Sequence, residues 1–251
     1  MRMTMLMFSN LARTRESLIL FAFGLFPLVL PVVNLFDTQF MQIGGQSGSV
    51  SCLDFLAGVV NLQHTMLLPM IVMFYLSCTL LHQEIASGRL FLYKDMPRSA
   101  VFGAKIGALL GVYVCYMLLL SAVSGILYFL YLTRFEYASG AMLPASPSDV
   151  QSDVLSIGGT VLVAVMCMLA AAALSVRCSS GVTMLGGVLL MLIATIAPML
   201  PSLRYIMPTG YVALQEQLGF GAACGAMVAV GALYSAALYA VGRSLFAKVE
   251  Y

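Results

Sequence analysis

Few residues in this 251-residue chain are of types that do chemistry, and their spacing excludes most of it. The lysines, Lys94, Lys105 and Lys248, follow no GxxxxGK[ST] pattern, so no phosphate-cradling loop for nucleotide is encoded. HExxH and GxSxG are also absent, which removes the zinc-protease and nucleophile-elbow arrangements. His64 and His82 would lie about 27 Å apart along a helix, too far to share a metal. The cysteines (Cys52, Cys78, Cys115, Cys167, Cys178 and Cys224) form no CxxC pair and read as small apolar packing residues. The methionines are spread along the chain rather than clustered, so they fill core gaps instead of binding a soft metal. We expect no catalytic residue, no metal site and no cofactor held by this chain.

Two polar constellations remain. Asn61, Gln63, His64 and Thr65 form a patch within an apolar run, either lining a vestibule or pathway or forming an interfacial polar helix end. The second is the 82–105 segment, with Glu84, Gly88, Arg89, Lys94, Pro97, Arg98 and Lys105. A helix carrying Glu84 and breaking at Gly88, with Pro97 punctuating the far end, would present a short amphipathic element for a partner to dock on. A basic loop that only follows the charge bias of membrane proteins is the alternative.

The elements that must carry these residues are apolar and long. Charged residues make up only 9% of the chain, against roughly a quarter in soluble domains. About 20 apolar residues span a hydrocarbon core, and six runs are assigned as spans: 17–36, 55–81, 104–132, 154–176, 183–200 and 220–241. The 17–36 run exceeds the core of a signal peptide and meets no small-residue cleavage site, so it is expected to be retained. The predicted fold is an all-α membrane protein of six transmembrane helices, with both termini cytoplasmic. One domain is expected over 1–251, divided into an elbow helix at 1–16, the six-span bundle at 17–242 and a cytoplasmic tail at 243–251.

Charge placement orients this map. Arg2, Arg13, Arg15, Arg89, Lys94, Arg98, Lys105, Arg177, Arg243 and Lys248 fall on one side, and only Arg134 and Arg204 on the other. Cytoplasmic loops carry the excess of Lys and Arg, so the first group faces the cytoplasm. The cations are scattered beside apolar runs, which gives no stripe for nucleic acid. In the first sixteen residues, Arg2, Ser9, Arg13 and Glu16 align on one helical face, and Met3, Met7 and Leu11, helped by Phe8, on another. Such a segment lies in the headgroup plane as an interfacial helix; a basic tail is the plainer reading.

Small residues and prolines mark contacts and breaks. Gly103, Gly107 and Gly111 form GxxxGxxxG in the third span; Gly221 and Gly225, extended by Ala229, Ala232 and Ala236, repeat the theme in the sixth. These faces let helices approach closely, within the chain or between subunits. Pro69 is expected to kink the second span. Pro198, Pro201 and Pro208 predict either a partly re-entrant segment or a simple loop before the sixth.

With the elbow, six spans, Glu84, Gly88, Pro97-Arg98-Ser99 and Lys105 in this order, the chain resembles the ABC-2 type permeases, the membrane subunits of bacterial ATP-driven exporters. The Tyr93-Lys94-Asp95 stretch departs from that family, which has more apolar or small residues there. The resemblance implies a separate ABC ATPase, which would hold ATP and Mg and dock against the elbow and the 82–103 connection. It also implies a second permease chain, identical or related, and a place in the bacterial cytoplasmic membrane. Glu84, Gly88, Arg89, Lys94, Pro97, Arg98 and Lys105 would form the coupling surface; Arg2, Arg13 and Arg15 would belong to the elbow. Asn61, Gln63 and His64 are candidate pathway residues from their position in the second span. The expected function is export of an amphipathic or hydrophobic cargo, such as a peptide antibiotic or drug. A non-transporting membrane scaffold or assembly protein is the main alternative, and an ion-coupled carrier is disfavoured by the shortage of charge within the spans.

Overall fold

The structure is a computed structural model that describes residues 2–35, 48–89 and 96–249. Among these residues it is helical apart from loops and an isolated bridge between Val50 and Ala138. Five helices are long and apolar enough to cross a membrane: Leu68–Ala86, Arg98–Arg134, Pro147–Ser175, Ser180–Met199 and Phe220–Ala247. A sixth crossing exists if the bent pair Arg15–Gly24 and Phe26–Val33 forms one span. This is the architecture of an all-α, multi-pass membrane protein.

Helix α1 (Arg2–Ala12) stops four residues short of the expected elbow boundary and turns sharply into α2 (Arg15–Gly24). The corner is stapled by its hydroxyls. Thr14 Oγ1 accepts from the Ser17 amide, capping α2, and Thr14 and Ser17 both donate to the Leu11 carbonyl, at 2.8 and 2.7 Å. The apolar face of α1 packs on protein rather than facing only the acyl boundary. Thr4 and Phe8 sit over Gly107 and Gly111, where an added Cβ would come within 2.9 Å of each. Met5 and Leu6 are left outward. Thus two members of the GxxxGxxxG face receive the chain's own first helix, and Gly103 faces Tyr239.

The first span, read as continuous, is broken. Pro27 lacks an N–H and crowds the carbonyl four residues before it, that of Phe23. After a short turn at Phe26–Leu28 the chain continues as α3 (Val29–Leu35), with a bend of 52°.

The second span, expected over 55–81, is interrupted at Leu67, and the helix long and apolar enough to cross begins only at Leu68. Helix α4 (Cys52–Met66) is closed at its start by a reciprocal cap between Ser51 and Asp54, and ends at Leu67, whose φ is 62°. Helix α5 (Leu68–Cys78) restarts with Pro69 in its first turn, a position that tolerates the missing N–H. A π-helical turn over Thr79–Gln83 leads into the single turn α6 (Glu84–Ala86).

Helices α7 (Arg98–Leu130) and α8 (Pro147–Ser175) run through the centre, and the largest buried cluster joins them to α2, α4, α5 and α9 (Ser180–Ile196). At one end, a second cluster gathers Met3 and Met7 of α1, Leu81, Phe102, Ile106, Val176 and Phe246 of α11 (Phe220–Ala247). The start of α1 and the end of α11 therefore share one end of the bundle. At the other end, the strand-like stretch before α4 is tied to the loop after α7. Tyr128 Oη donates to the Val50 carbonyl at 2.8 Å, and the Ser139 amide donates to it at 2.9 Å.

The proline-rich segment after α9 folds back onto the bundle. Its Pro208–Gly210 turn lies against Gly159 of α8 and leads into α10 (Tyr211–Leu218). Gly210 is required there because a Cβ would meet the Arg204 carbonyl oxygen at 2.0 Å. By contrast, Gly221 and Gly225 on α11 face open space.

Candidate functional site: a paired end and a polar break

Of the 82–105 candidates, Glu84 and Lys105 meet between α6 and α7, and Glu84 and Arg89 face a cleft beside α1. Lys105, about two turns into α7, is fully buried, so it belongs to the interior rather than to a surface. Its Nζ donates to the Leu80 carbonyl in the π turn at 2.5 Å and to a carboxylate oxygen of Glu84. A buried ammonium must be paired and hydrogen-bonded, and here one side chain ties the third span to the end of the second. The Glu84 side chain is 23% exposed, so the pair reaches the surface through Glu84 alone.

Gly88 follows α6 with a φ of 70°, a left-handed position that suits glycine after a helix. Arg89 beside it is exposed. Pro97 supplies the extended residue before α7. Arg98 points toward the tail: its guanidinium donates to the Ala247 carbonyl at 2.7 Å and also to that of Val249, closing the last turn of α11. Lys94 lies outside the described residues. Arg2 opens α1, and Arg13 and Arg15 are exposed at the α1–α2 corner.

Between that corner and the π turn lies a cleft of about 300 Å³, lined by Asn10, Thr14, Glu16, Thr79, Glu84 and Arg89 among others. It brings elbow residues and coupling candidates to one concave surface, with two carboxylates and a guanidinium on its walls.

The other constellation divides in two. Asn61 is committed to α8: its Nδ2 donates to Ser156 Oγ at 2.8 Å and its Oδ1 accepts from Thr160 Oγ1 at 3.2 Å. It clamps α4 to α8. Gln63, only 2% exposed, donates through Nε2 to the Phe23 carbonyl at 2.9 Å, the carbonyl four residues before Pro27. The breaks in the first and second spans are thus joined by one amide. Gln63 Oε1 is buried and accepts no hydrogen bond from the protein. Gln63 and His64 line a cavity of about 20 Å³ with Pro69, Tyr113, Tyr116 and Thr160.

Comparison with protein-family models, with curated proteins and with solved structures finds no match. What the site does must therefore be argued from its residues. Among the described residues no group of three or more His, Cys, Asp or Glu is placed to hold a metal ion. Neither constellation sets a nucleophile against a base. The paired end can transmit force between helices and offer a charged cleft; the break can hydrogen-bond a neutral group within the membrane-spanning region.

Proposed function

We propose that this chain is the permease subunit of an ATP-driven exporter of the ABC-2 type, with no ATPase activity of its own. The observation that carries the proposal is the Lys105–Glu84–Leu80 tie, which locks the second and third spans together beside the elbow. A force applied to the cleft at Glu84 and Arg89 would move α1, α5 and α7 as one body, which is what coupling to an external ATPase requires. Arg89 on the wall of that cleft, with the exposed Arg13 and Arg15 at the α1–α2 corner, gives a soluble partner cationic groups to dock on.

On this reading the cleft faces the cytoplasm of a bacterial cell, since the cations cluster at that end. A separate ATPase subunit docks there and holds ATP and Mg. A second permease chain, identical or related, completes the pathway, and the cargo is amphipathic or hydrophobic, a peptide antibiotic or drug among the candidates.

Purification of the tagged chain from its native membrane tests this. A co-purifying ATPase whose activity falls with Arg89→Glu, in a chain that retains its folded yield, is the expected result. A complex without ATP hydrolysis would favour the scaffold alternative, and hydrolysis indifferent to Arg89→Glu and Glu84→Ala would remove the coupling assignment.

A further inference from the structure

At the end of the bundle opposite Lys105, the first turns of α4 and α8 set two carboxyl groups against each other. The register follows from the Asn61 clamp. Asn61 bonds Ser156 and Thr160 on α8. Counting back seven residues, about two turns, from Asn61 and from Thr160 arrives at Asp54 and Asp153. Their carboxyls are within hydrogen-bonding reach. Both stand clear of the hydrocarbon, because they precede the 55–81 and 154–176 runs. The 29 residues of α8 extend about 43 Å, against an apolar core about 30 Å thick, so the polar start of this helix protrudes.

The surroundings of the two aspartates differ. Asp54 Oδ2 accepts from the Ser51 amide at 2.8 Å and from Ser51 Oγ at 2.6 Å, in the first turn of α4, where a helix favours an anion. Asp153 has no such support: its Oδ2 is buried and accepts no hydrogen bond. A buried carboxylate oxygen without a donor is costly, whereas a protonated one can donate to the neighbouring anion. The charged groups acting on Asp153 are themselves acids, Asp54 and, one turn earlier on α8, Asp149. From α10 the contact to this end is uncharged, Gln215 Nε2 donating to Gln151 Oε1 at 3.3 Å. The loop after α7 reaches α4 through its backbone, the Ala141 and Met142 carbonyls accepting from the Cys52 and Leu53 amides. Burial first, then the two acids, pushes the Asp153 carboxyl up to about 7.

We propose that Asp153 and Asp54 share one proton and so form a pH-sensitive clasp between α4 and α8, closed while the proton is bound and loosened by repulsion when it leaves. The step is an ionisation: the Asp153 O–H bond breaks, its electron pair stays on the carboxylate, and the proton passes to water. The Asn61 clamp is neutral, so the loosening is confined to the turns before it. A carboxyl in an unfolded chain ionises near about 4. The contribution of the clasp to stability is therefore whole below that pH, falls as pH rises toward about 7, and is gone above it. No ATPase and no cargo enters this device, so it stands or falls apart from the export proposal.

The test uses the full chain in phosphatidylcholine nanodiscs and pH-difference infrared spectroscopy. A protonated-carboxyl band with its midpoint near pH 7 is expected. It should vanish in Asp153→Asn and move about one pH unit or more toward acid in Asp54→Asn, which removes the neighbouring charge. The unfolding temperature of the unaltered chain should fall from pH 5 to pH 8. Asp153→Asn, whose amide can donate to Asp54 without titrating, should show a smaller fall. Absence of a protonated-carboxyl band at pH 6 in the unaltered chain would overturn the proposal without any variant. So would a band that survives Asp153→Asn, a midpoint indifferent to Asp54→Asn, or an unfolding profile with the same pH dependence in Asp153→Asn as in the unaltered chain.

Discussion

At the Glu84 end of the second span a buried cation is held by a carboxylate and a backbone carbonyl, whereas near Leu67 a buried amide oxygen accepts no hydrogen bond. Both places interrupt regular α-helix, one through a π turn and the other through a left-handed residue. The difference lies in what each interruption exposes. The π turn presents the Leu80 carbonyl to Lys105, and the chain closes on itself. The break at Leu67 lies beside a neutral cavity whose polar groups exceed what the protein satisfies. A closed contact holds helices together; an open one leaves room for something else to bind.

The largest effect should come from breaking the closed region asymmetrically. Glu84→Ala takes the counter-charge from a fully buried ammonium and should destabilise the chain by about 3–5 kcal/mol. Lys105→Met leaves a partly exposed carboxylate and should cost less, and the double substitution should recover much of the loss. Thermal unfolding in detergent measures all three. If Glu84→Ala and Lys105→Met are equally mild, the pair does not hold this end together.

Next comes the elbow. Gly111→Val puts side-chain atoms where the Phe8 ring lies and should cost about 1–3 kcal/mol by overpacking. Gly225→Val, on the open face of α11, should leave the isolated chain's unfolding temperature nearly unchanged. Similar losses at the two glycines would contradict the assignment of the first seam to α1.

These regions were unequally legible in the sequence. The apolar runs, the Lys and Arg asymmetry and Gly88 as a helix terminator are local signals. Gly107 and Gly111 announced close packing, but small residues do not name a partner, so Thr4 and Phe8 could not be anticipated. Lys105 was visible as the cation opening the third span; its burial depends on a π turn that periodicity does not encode. Pro69 points to the second break, and Pro27 carries the same information for the first span, where the surrounding apolar run hides it. The commitments of Asn61 to Ser156 and Thr160, and of Arg98 to the tail, join residues about a hundred or more positions apart, which spacing cannot reveal.

Smaller effects sharpen the open region. Asn61→Ala removes both contacts to α8 and leaves Thr160 without its acceptor, which should cost about 1–3 kcal/mol. Leu67→Val should cost about 1–2 kcal/mol, because a β-branched residue is poorly accommodated at φ 62°, while Leu67→Gly should change stability by less than about 1 kcal/mol. Equilibrium unfolding distinguishes the pair; equal losses would mean that packing, not backbone strain, dominates at Leu67.

The central claim is that the Glu84–Arg89 cleft is offered to a cytoplasmic partner, and its most direct test is sidedness at Arg89. Arg89→Cys should react with a membrane-impermeant maleimide, above the level of the unaltered chain, in inverted membrane vesicles and not in intact spheroplasts. Strong labelling in intact spheroplasts would put the cleft outside the cell and contradict the account.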